Sequence, residues 1–449
     1  MFPRLLSDRL SRQRDFCLLG VTGVGKTTLV KQFGARFSNV IHLDLETATD
    51  RSIFQQHAGP DEILRAVSFI KGKEIRGKGT LLVLDEIARC RETILWLNDI
   101  RKPQSKKGQS PFIVAVSSIL TPELIQLTRE GDDPLPAISL YPFSFEEFLS
   151  AMDDQSALEA FREVPVPVYA HEKLLHFFHL YALIGGMPEI VSEYSKYRHL
   201  SGLKKLYEKT EEAFLQSIGE IDSGKKKKDL AREILQNTYP FAATRIRFNH
   251  FGNIDRGSRD VGQAFRILEQ AFLLQLVYPV TSPLLPLKPD KSRFPRVQVA
   301  DCGMVNYFSG IQKPMFQSQD MNVLFKGQIA RQVVGQEILG TEKMDKTPPL
   351  NFWIREKVQS TAEVDFLVKY EDMAIPVEVK SGEPGRLRSL HQFVDLAPHP
   401  FAIQLHASKL GIHQVQTIKG KKFYLLSLPY FLAGKIREHL GGFKRLVEG

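Results

Sequence analysis

Phe16-Cys17-Leu18-Leu19-Gly20-Val21-Thr22-Gly23-Val24-Gly25-Lys26-Thr27-Thr28 is the stretch that decides the fold of this chain. An apolar run enters a glycine-rich turn, and a helical pattern, 26–37, follows it. Gly20 to Thr27 fits G-x-x-x-x-G-K-[ST] at every fixed position, the signature of a P-loop between a strand and a helix. The chemistry needs these residue types. Glycines let the backbone N–H groups of Gly20, Val21, Thr22, Gly23, Val24 and Gly25 close around phosphate oxygens. The helix N-terminus at Lys26, Thr27 and Thr28 adds a favourable dipole. Lys26 supplies a point charge for the β- and γ-phosphates, and the Thr27 hydroxyl is a ligand for Mg2+.

Downstream, Leu81-Leu82-Val83-Leu84 leads into Asp85-Glu86, a Walker B pattern. A buried strand ends there in a carboxylate, Asp85, that reaches the metal shell, and Glu86 is placed to polarise the attacking water as a general base. Strands are expected at 15–19, 40–45, 80–84, 112–117 and 137–140, with helices at 62–72, 91–100 and 122–130 between them. That alternation predicts an α/β fold with a parallel sheet covered on both faces. Ser117 and Ser118 end the fourth strand, where a hydroxyl is a candidate sensor of the γ-phosphate.

The chain has 449 residues, more than one core usually organises, so several domains are expected. Its formal charge of +9 favours an anionic partner, DNA among the candidates, and equally serves solubility. Cys17, Cys90 and Cys302 lie far apart without metal-ligand spacing, which suits a reducing compartment. Neither a signal peptide nor a membrane-spanning run is evident, so a cytoplasmic location without membrane association is expected.

The expected organisation is a P-loop core over 1–150, a helical region over 151–224, a winged-helix-like module over 225–315 and a C-terminal domain over 321–449. The middle is read as a lysine-rich exposed loop at Gly224–Lys228, then short helices, then a hairpin of strands 272–278 and 296–300 joined by a proline-rich turn from Pro279 to Pro289. Helix 258–273 carries Arg256, Arg259 and Arg266 near or on it, which suits either a DNA groove or solvent. A linker is expected near Gln312–Asp320, then helix 327–339, strands 350–355, 362–368 and 375–380, a helix at 387–396 and strands 401–405 and 422–426.

With these residues in hand, the chain resembles the predicted AAA-type ATPases of bacteria and archaea that carry a characteristic C-terminal domain of unknown function. Besides the P-loop and Leu81–Glu86, the matching pieces are Leu140-Tyr141-Pro142-Phe143-Ser144-Phe145-Glu146-Glu147-Phe148, Gly185-Gly186-Met187-Pro188-Glu189 and Val277-Tyr278-Pro279-Val280. Farther on they are Asp301-Cys302-Gly303-Met304, Ala362-Glu363-Val364-Asp365-Phe366 and Val377-Glu378-Val379-Lys380-Ser381. The resemblance implies an ATPase core using ATP with Mg2+, a helical and winged-helix middle, and a restriction-endonuclease-like end.

Two departures stand out. Family members usually carry Gly-Arg before the strand that corresponds to 137–140, whereas this chain reads Gly131-Asp132-Asp133-Pro134-Leu135-Pro136; Arg129 lies upstream, read as a solvated helix-end arginine or else as a substitute. In the C-terminal domain, Asp365, Glu378 and Lys380 form a D…E-x-K pattern similar to the PD-(D/E)xK nuclease core. Glu378 and Lys380 share a strand face, and a hairpin would bring Asp365 beside them. There, family members place a glutamate four residues after the glycine that opens the preceding helix. This chain has Arg331 after Gly327, with Glu337 farther along. Nuclease activity is therefore left open. Two functions follow: an ATPase coupled to a nucleic-acid-associated nuclease-like domain, or an ATP-dependent switch that holds a protein partner or a second copy of itself, with that domain inactive.

Overall fold

Short apolar runs alternating with amphipathic helices build a five-stranded sheet in the N-terminal part of the chain. The computed structural model describes residue 4 and residues 14–57, 59–75, 77–102, 110–130, 133–221, 224–312, 314, 327–341, 350–357, 360–380 and 387–448. Strands β1 (Phe16–Leu19), β2 (Asn39–Asp44), β3 (Thr80–Asp85), β4 (Phe112–Ser117) and β5 (Ala137–Ser139) are parallel and stand in the order β2-β3-β4-β1-β5. β3 is buried along its whole length, as a strand covered on both faces must be. Helix Arg91–Ile100 sends Ile94, Leu97 and Ile100 into a core that also holds Leu82, Leu84 and Ile113. The order inserts β4 between β1 and β3, so their carboxyl ends face one edge, where open α/β sheets bind ligands.

Backbone packing divides the chain into two units. One comprises Met1–Tyr141, Lys209–Lys228 and Arg266–Leu273; the other comprises Pro142–Glu208, Asp229–Phe265 and Leu274–Gly449. In the second unit, three of the sequence motifs meet in one buried knot. Ser144 caps helix Phe145–Ala151 in a reciprocal capping box with Glu147. The Gly186 N–H donates to Asp301 Oδ2 at 2.6 Å, and Asp301 caps helix Cys302–Phe308 through the Met304 N–H. A side chain on Gly303 would strike the Ile184 carbonyl, so only glycine passes there. These motifs serve packing.

The same knot buries Glu337, which accepts from the Tyr181 hydroxyl at 2.7 Å and the Phe145 N–H at 2.9 Å. Burial raises its carboxyl from 4.5 to about 7, and burial raises Asp301 to about 6 against its backbone donors. Both acids hold a proton more tightly folded than unfolded. The stability they contribute is full below the unfolded value and is lost as pH rises through the folded one. Stability should fall from about pH 5 to about pH 7.5, by about 3 kcal/mol from Glu337 alone. Glu337→Gln should flatten that fall in chemical denaturation; an unchanged slope would remove Glu337 as its source.

Four expectations about the middle and the end are corrected. The lysine run is not a loop: Lys225–Lys228 opens helix Lys225–Thr238. Lysine is a good helix former, and the exposed Lys225, Lys226 and Lys227 leave Leu230, Ala231, Ile234 and Leu235 to bury. The expected strand 272–278 begins later, because Phe272 takes a left-handed φ of 57° just after helix Ser258–Gln270. β6 (Leu274–Val277) then pairs antiparallel with β8 (Arg296–Val299), while Ala243 and Thr244 bond Val297 on the other edge of β8 and Ile246 bonds Pro295 just before it. Their connection is more than a turn: β7 (Pro279–Val280) leaves to pair in parallel with β9 (Phe352–Lys357).

The expected strand 362–368 breaks at Asp365 into β10 (Ser360–Val364) and β11 (Phe366–Tyr370), which enter different sheets. β10 joins β9 and β7, whereas β11 pairs antiparallel with β12 (Met373–Val379). Then β13 (Phe401–His406), β14 (Gly411–Gln416) and β15 (Lys422–Pro429) complete the order β11-β12-β13-β15-β14. β14 and the last helix, Ile436–Glu448, had no expectation. The linker near 312–320 lies largely outside the described residues, as do Gly131, Asp132 and Ser381.

Candidate active site

The loop after β1 reaches the helix Lys26–Gly34 through Gly25, whose φ of 96° suits glycine and sets the N-cap. No side chain caps this helix and its first turn holds no acid. Its leading N–H groups and dipole therefore suit an anion. The Lys26 Nζ donates to the carbonyls of Gly20 at 2.8 Å and Val21 at 3.1 Å, and stands 3.8 Å from Glu86. Burial lowers the pKa of this ammonium, opposed by the charges of Glu86, Asp85 and Glu46.

The β2–β3 pairing sets Asp44 beside Asp85 and β3 carries Asp85 to the loop. The Thr27 hydroxyl donates to Asp85 Oδ2 at 3.0 Å, and His42 Nε2 lies 3.1 Å from the same oxygen. Burial pushes the Asp85 carboxyl up, but the contacts with His42, Thr27 and Lys26 outweigh it and leave it below its ordinary value. Glu86, at a left-handed φ of 53°, accepts from the Ser118 N–H at 2.9 Å and its hydroxyl at 2.7 Å. Ser117 is fully buried and spends its hydroxyl on the Ile119 carbonyl at 2.7 Å. Lys26, Thr27, Asp85, Glu86 and Ser118 thus come together. The donor set fits a nucleotide polyphosphate with a divalent cation: uncapped amides and an ammonium for the anion, a hydroxyl and a carboxylate for the metal.

Sequence reasoning missed four neighbours. His42 on β2 reaches Asp85; Arg89 pairs with Glu46 at 3.1 Å and with Glu220. No motif marks them, because their proximity follows from strand order and from a helix over a hundred residues away in sequence. Arg129 sits exposed in the last turn of helix Pro122–Arg129.

At the C-terminal carboxylates, the turn between β11 and β12 brings Asp365 back to β12: its Oδ2 accepts the Val379 N–H at 2.8 Å. Glu378 Oε1 accepts from Lys380 Nζ at 2.7 Å. The expected trio assembles, yet two guanidinium groups join it. Arg331 lies 3.7 Å and Arg296 3.9 Å from Asp365 Oδ1. Arg296 is 2% exposed, stacks 4.3 Å from the Phe352 ring centre, donates to the Asp365 carbonyl at 2.6 Å and pairs with Glu363. Burial raises Asp365, against Arg296 and Arg331. Burial, and after it the charge of Asp365, raises Glu378 to about 7, and its Oε2 is buried without a hydrogen-bond partner. A cation would face the fixed positive charge of Arg296 and Arg331 beside Asp365. These residues do not fit a divalent metal, and no cluster of three or more His, Cys, Asp or Glu suited to one occurs among the described residues.

Compared with known proteins, the chain matches an AAA domain over residues 13–149, which spans the five-stranded sheet and the P-loop. The N-terminal domain is of the AAA type. Behind the AAA domain, residues 175–315 match a domain of unknown function (DUF8612), and residues 326–430 match another (DUF4143). No curated protein matches the chain. Among solved structures, Thermotoga maritima RuvB is similar at 16% identity and a TM-score of 0.27, covering 61% of this chain and 85% of that one. An Aeropyrum pernix ORC1 protein in complex with DNA is similar at 12% identity and a TM-score of 0.29, covering 68% and 88%. Caenorhabditis elegans PCH-2 is similar at 14% identity and a TM-score of 0.28, covering 43% of this chain and 58% of that one. Scores this low carry no functional argument. No helix among the described residues is long and apolar enough to cross a membrane.

Proposed function

We propose that the AAA domain binds and hydrolyses ATP, with Gly20 to Thr28 around the phosphates, Thr27 and Asp85 as metal ligands and Glu86 as general base. The observation that carries this reading is the 3.0 Å hydrogen bond from Thr27 to Asp85, beside a Lys26 ammonium buried at the loop. When bound, Mg2+ offsets charge on the phosphate oxygens. The chain's part is to exchange contacts. Lys26 leaves the Gly20 and Val21 carbonyls for phosphate oxygens, and Ser118 holds the Glu86 carboxylate where it takes a proton from water. Of the two candidate sensors, Ser118 has its hydroxyl beside Glu86, while that of Ser117 is committed to its own turn. Phosphate release from ATP by the full chain tests the reading; none at any Mg2+ concentration would sink it.

The nucleotide cycle serves a nucleic-acid-associated protein whose C-terminal domain, nuclease-like in its residue pattern, does not cut. The net charge and the exposed Arg256 and Arg259 favour the nucleic acid. The guanidinium groups of Arg296 and Arg331 on Asp365 favour an inactive carboxylate site. A helix, the Thr244–Ile246 segment, helix Ser258–Gln270 and the β6/β8 pair follow the order of a winged-helix module. DNA incubated with Mg2+ or Mn2+ is expected to stay intact with both the natural chain and Asp365→Asn. Metal-dependent cleavage lost in Asp365→Asn would restore the nuclease.

A further inference from the structure

We propose that a cleft beside the β6/β8 pair binds an unpaired nucleic-acid strand, its phosphates on arginines and one base on Phe294. The proposal rests on the nucleic-acid reading above and gives it a surface. The cleft encloses about 630 Å³ and is lined by Arg245, Ile246, Arg247, Ser292, Arg293 and Phe294. Half of this lining is arginine, whose planar fork matches phosphate oxygens.

The local fold explains why these side chains are held there. Arg245 bridges Arg296, and the Ile246 N–H donates to the Pro295 carbonyl at 2.9 Å, so the two walls are tied by backbone bonds. Ile246 is buried and anchors the first wall, while Arg247 is exposed. Arg245 donates its Nε to the Phe294 carbonyl at 3.5 Å. The nearby acid is Asp290, which pairs with Arg293 at 3.1 Å and accepts from Ser292. Lys288 and Lys291 are exposed on the same connection, so positive charge exceeds negative around the cleft.

Phe294 decides the class of ligand. It is 46% exposed within this cationic cleft, and the Arg247 guanidinium stands 5.0 Å from its ring centre. A phosphopeptide or a free phosphate would use the arginines and leave the ring bare. A duplex hides the faces of its bases. An unpaired strand uses both, because every base offers a flat face to an aromatic ring or a guanidinium.

The test is fluorescence anisotropy of the full chain with a labelled single-stranded oligonucleotide of about 20 nucleotides. A matching duplex and inorganic polyphosphate serve as competitors. The natural chain should bind the single strand with steep salt dependence. Arg245→Glu/Arg247→Glu should weaken binding by about tenfold or more and lower the salt slope by about 2. Phe294→Ala should weaken the oligonucleotide by about fivefold or more but leave polyphosphate unchanged. Circular dichroism and thermal melting equal to those of the natural chain report that the variants are folded. If the natural chain binds DNA and both variants match it, the cleft is wrong while the nucleic-acid reading stands. Absence of binding by the natural chain ends both. An effect of the arginine variant equal on polyphosphate, with none from Phe294→Ala, would make this a general anion site and overturn the assignment.

Discussion

Lys26→Ala is expected to lower ATP affinity by about a hundredfold or more, from the loss of charge-assisted hydrogen bonds of about 1.5–3 kcal/mol each. Two features of the site push the effect to the upper end. The ammonium is 5% exposed, so water replaces it poorly. It also stands 3.8 Å from Glu86 and feels the charges of Asp85 and Glu46, so its loss removes positive charge from an acidic neighbourhood that the phosphates must enter. Isothermal titration with MgATP reads the change directly. Affinity equal to that of the natural chain would defeat the assignment of the loop.

Glu86→Gln is expected to separate binding from turnover. The amide oxygen still accepts from the Ser118 N–H and hydroxyl, so the side chain keeps its place, but it can no longer take a proton from water. Loss of a positioned general base costs about 10²–10⁴-fold in rate. Affinity should hold or tighten, because one negative charge leaves the neighbourhood of the phosphates. Steady-state phosphate release checks the first statement and titration the second. Normal release would take Glu86 out of the mechanism.

The AAA domain was legible because its signals are local. An apolar strand, glycines at fixed spacing, Lys26 and a helix lie within one short stretch, and Leu81–Glu86 repeats the logic for β3. His42 and Arg89 were illegible for the converse reason: each reaches the site across a strand pairing or a distant helix. The C-terminal trio was legible from strand alternation and the expected hairpin. Arg296 was not, since it comes from 69 residues before Asp365 and its burial depends on Phe352 and Phe366 being stacked around it. Arg331 was visible as a departure from the family pattern, though its 3.7 Å approach to Asp365 needed the fold. The lysine run misled because charge alone does not say whether a solvated segment is helical.

The detour of β7 has a consequence for anyone dissecting the protein. The boundary between the two matched domains of unknown function, at residues 315 and 326, is not a place where the polypeptide comes apart. Pro279–Val280 supplies the parallel neighbour of β9, and Arg296 is seated on Phe352 and Phe366. An excised segment starting at residue 326 would expose a bare sheet edge and an uncovered pair of rings, an invitation to self-association. The matched sequence domains and the packed units are here cut along different lines.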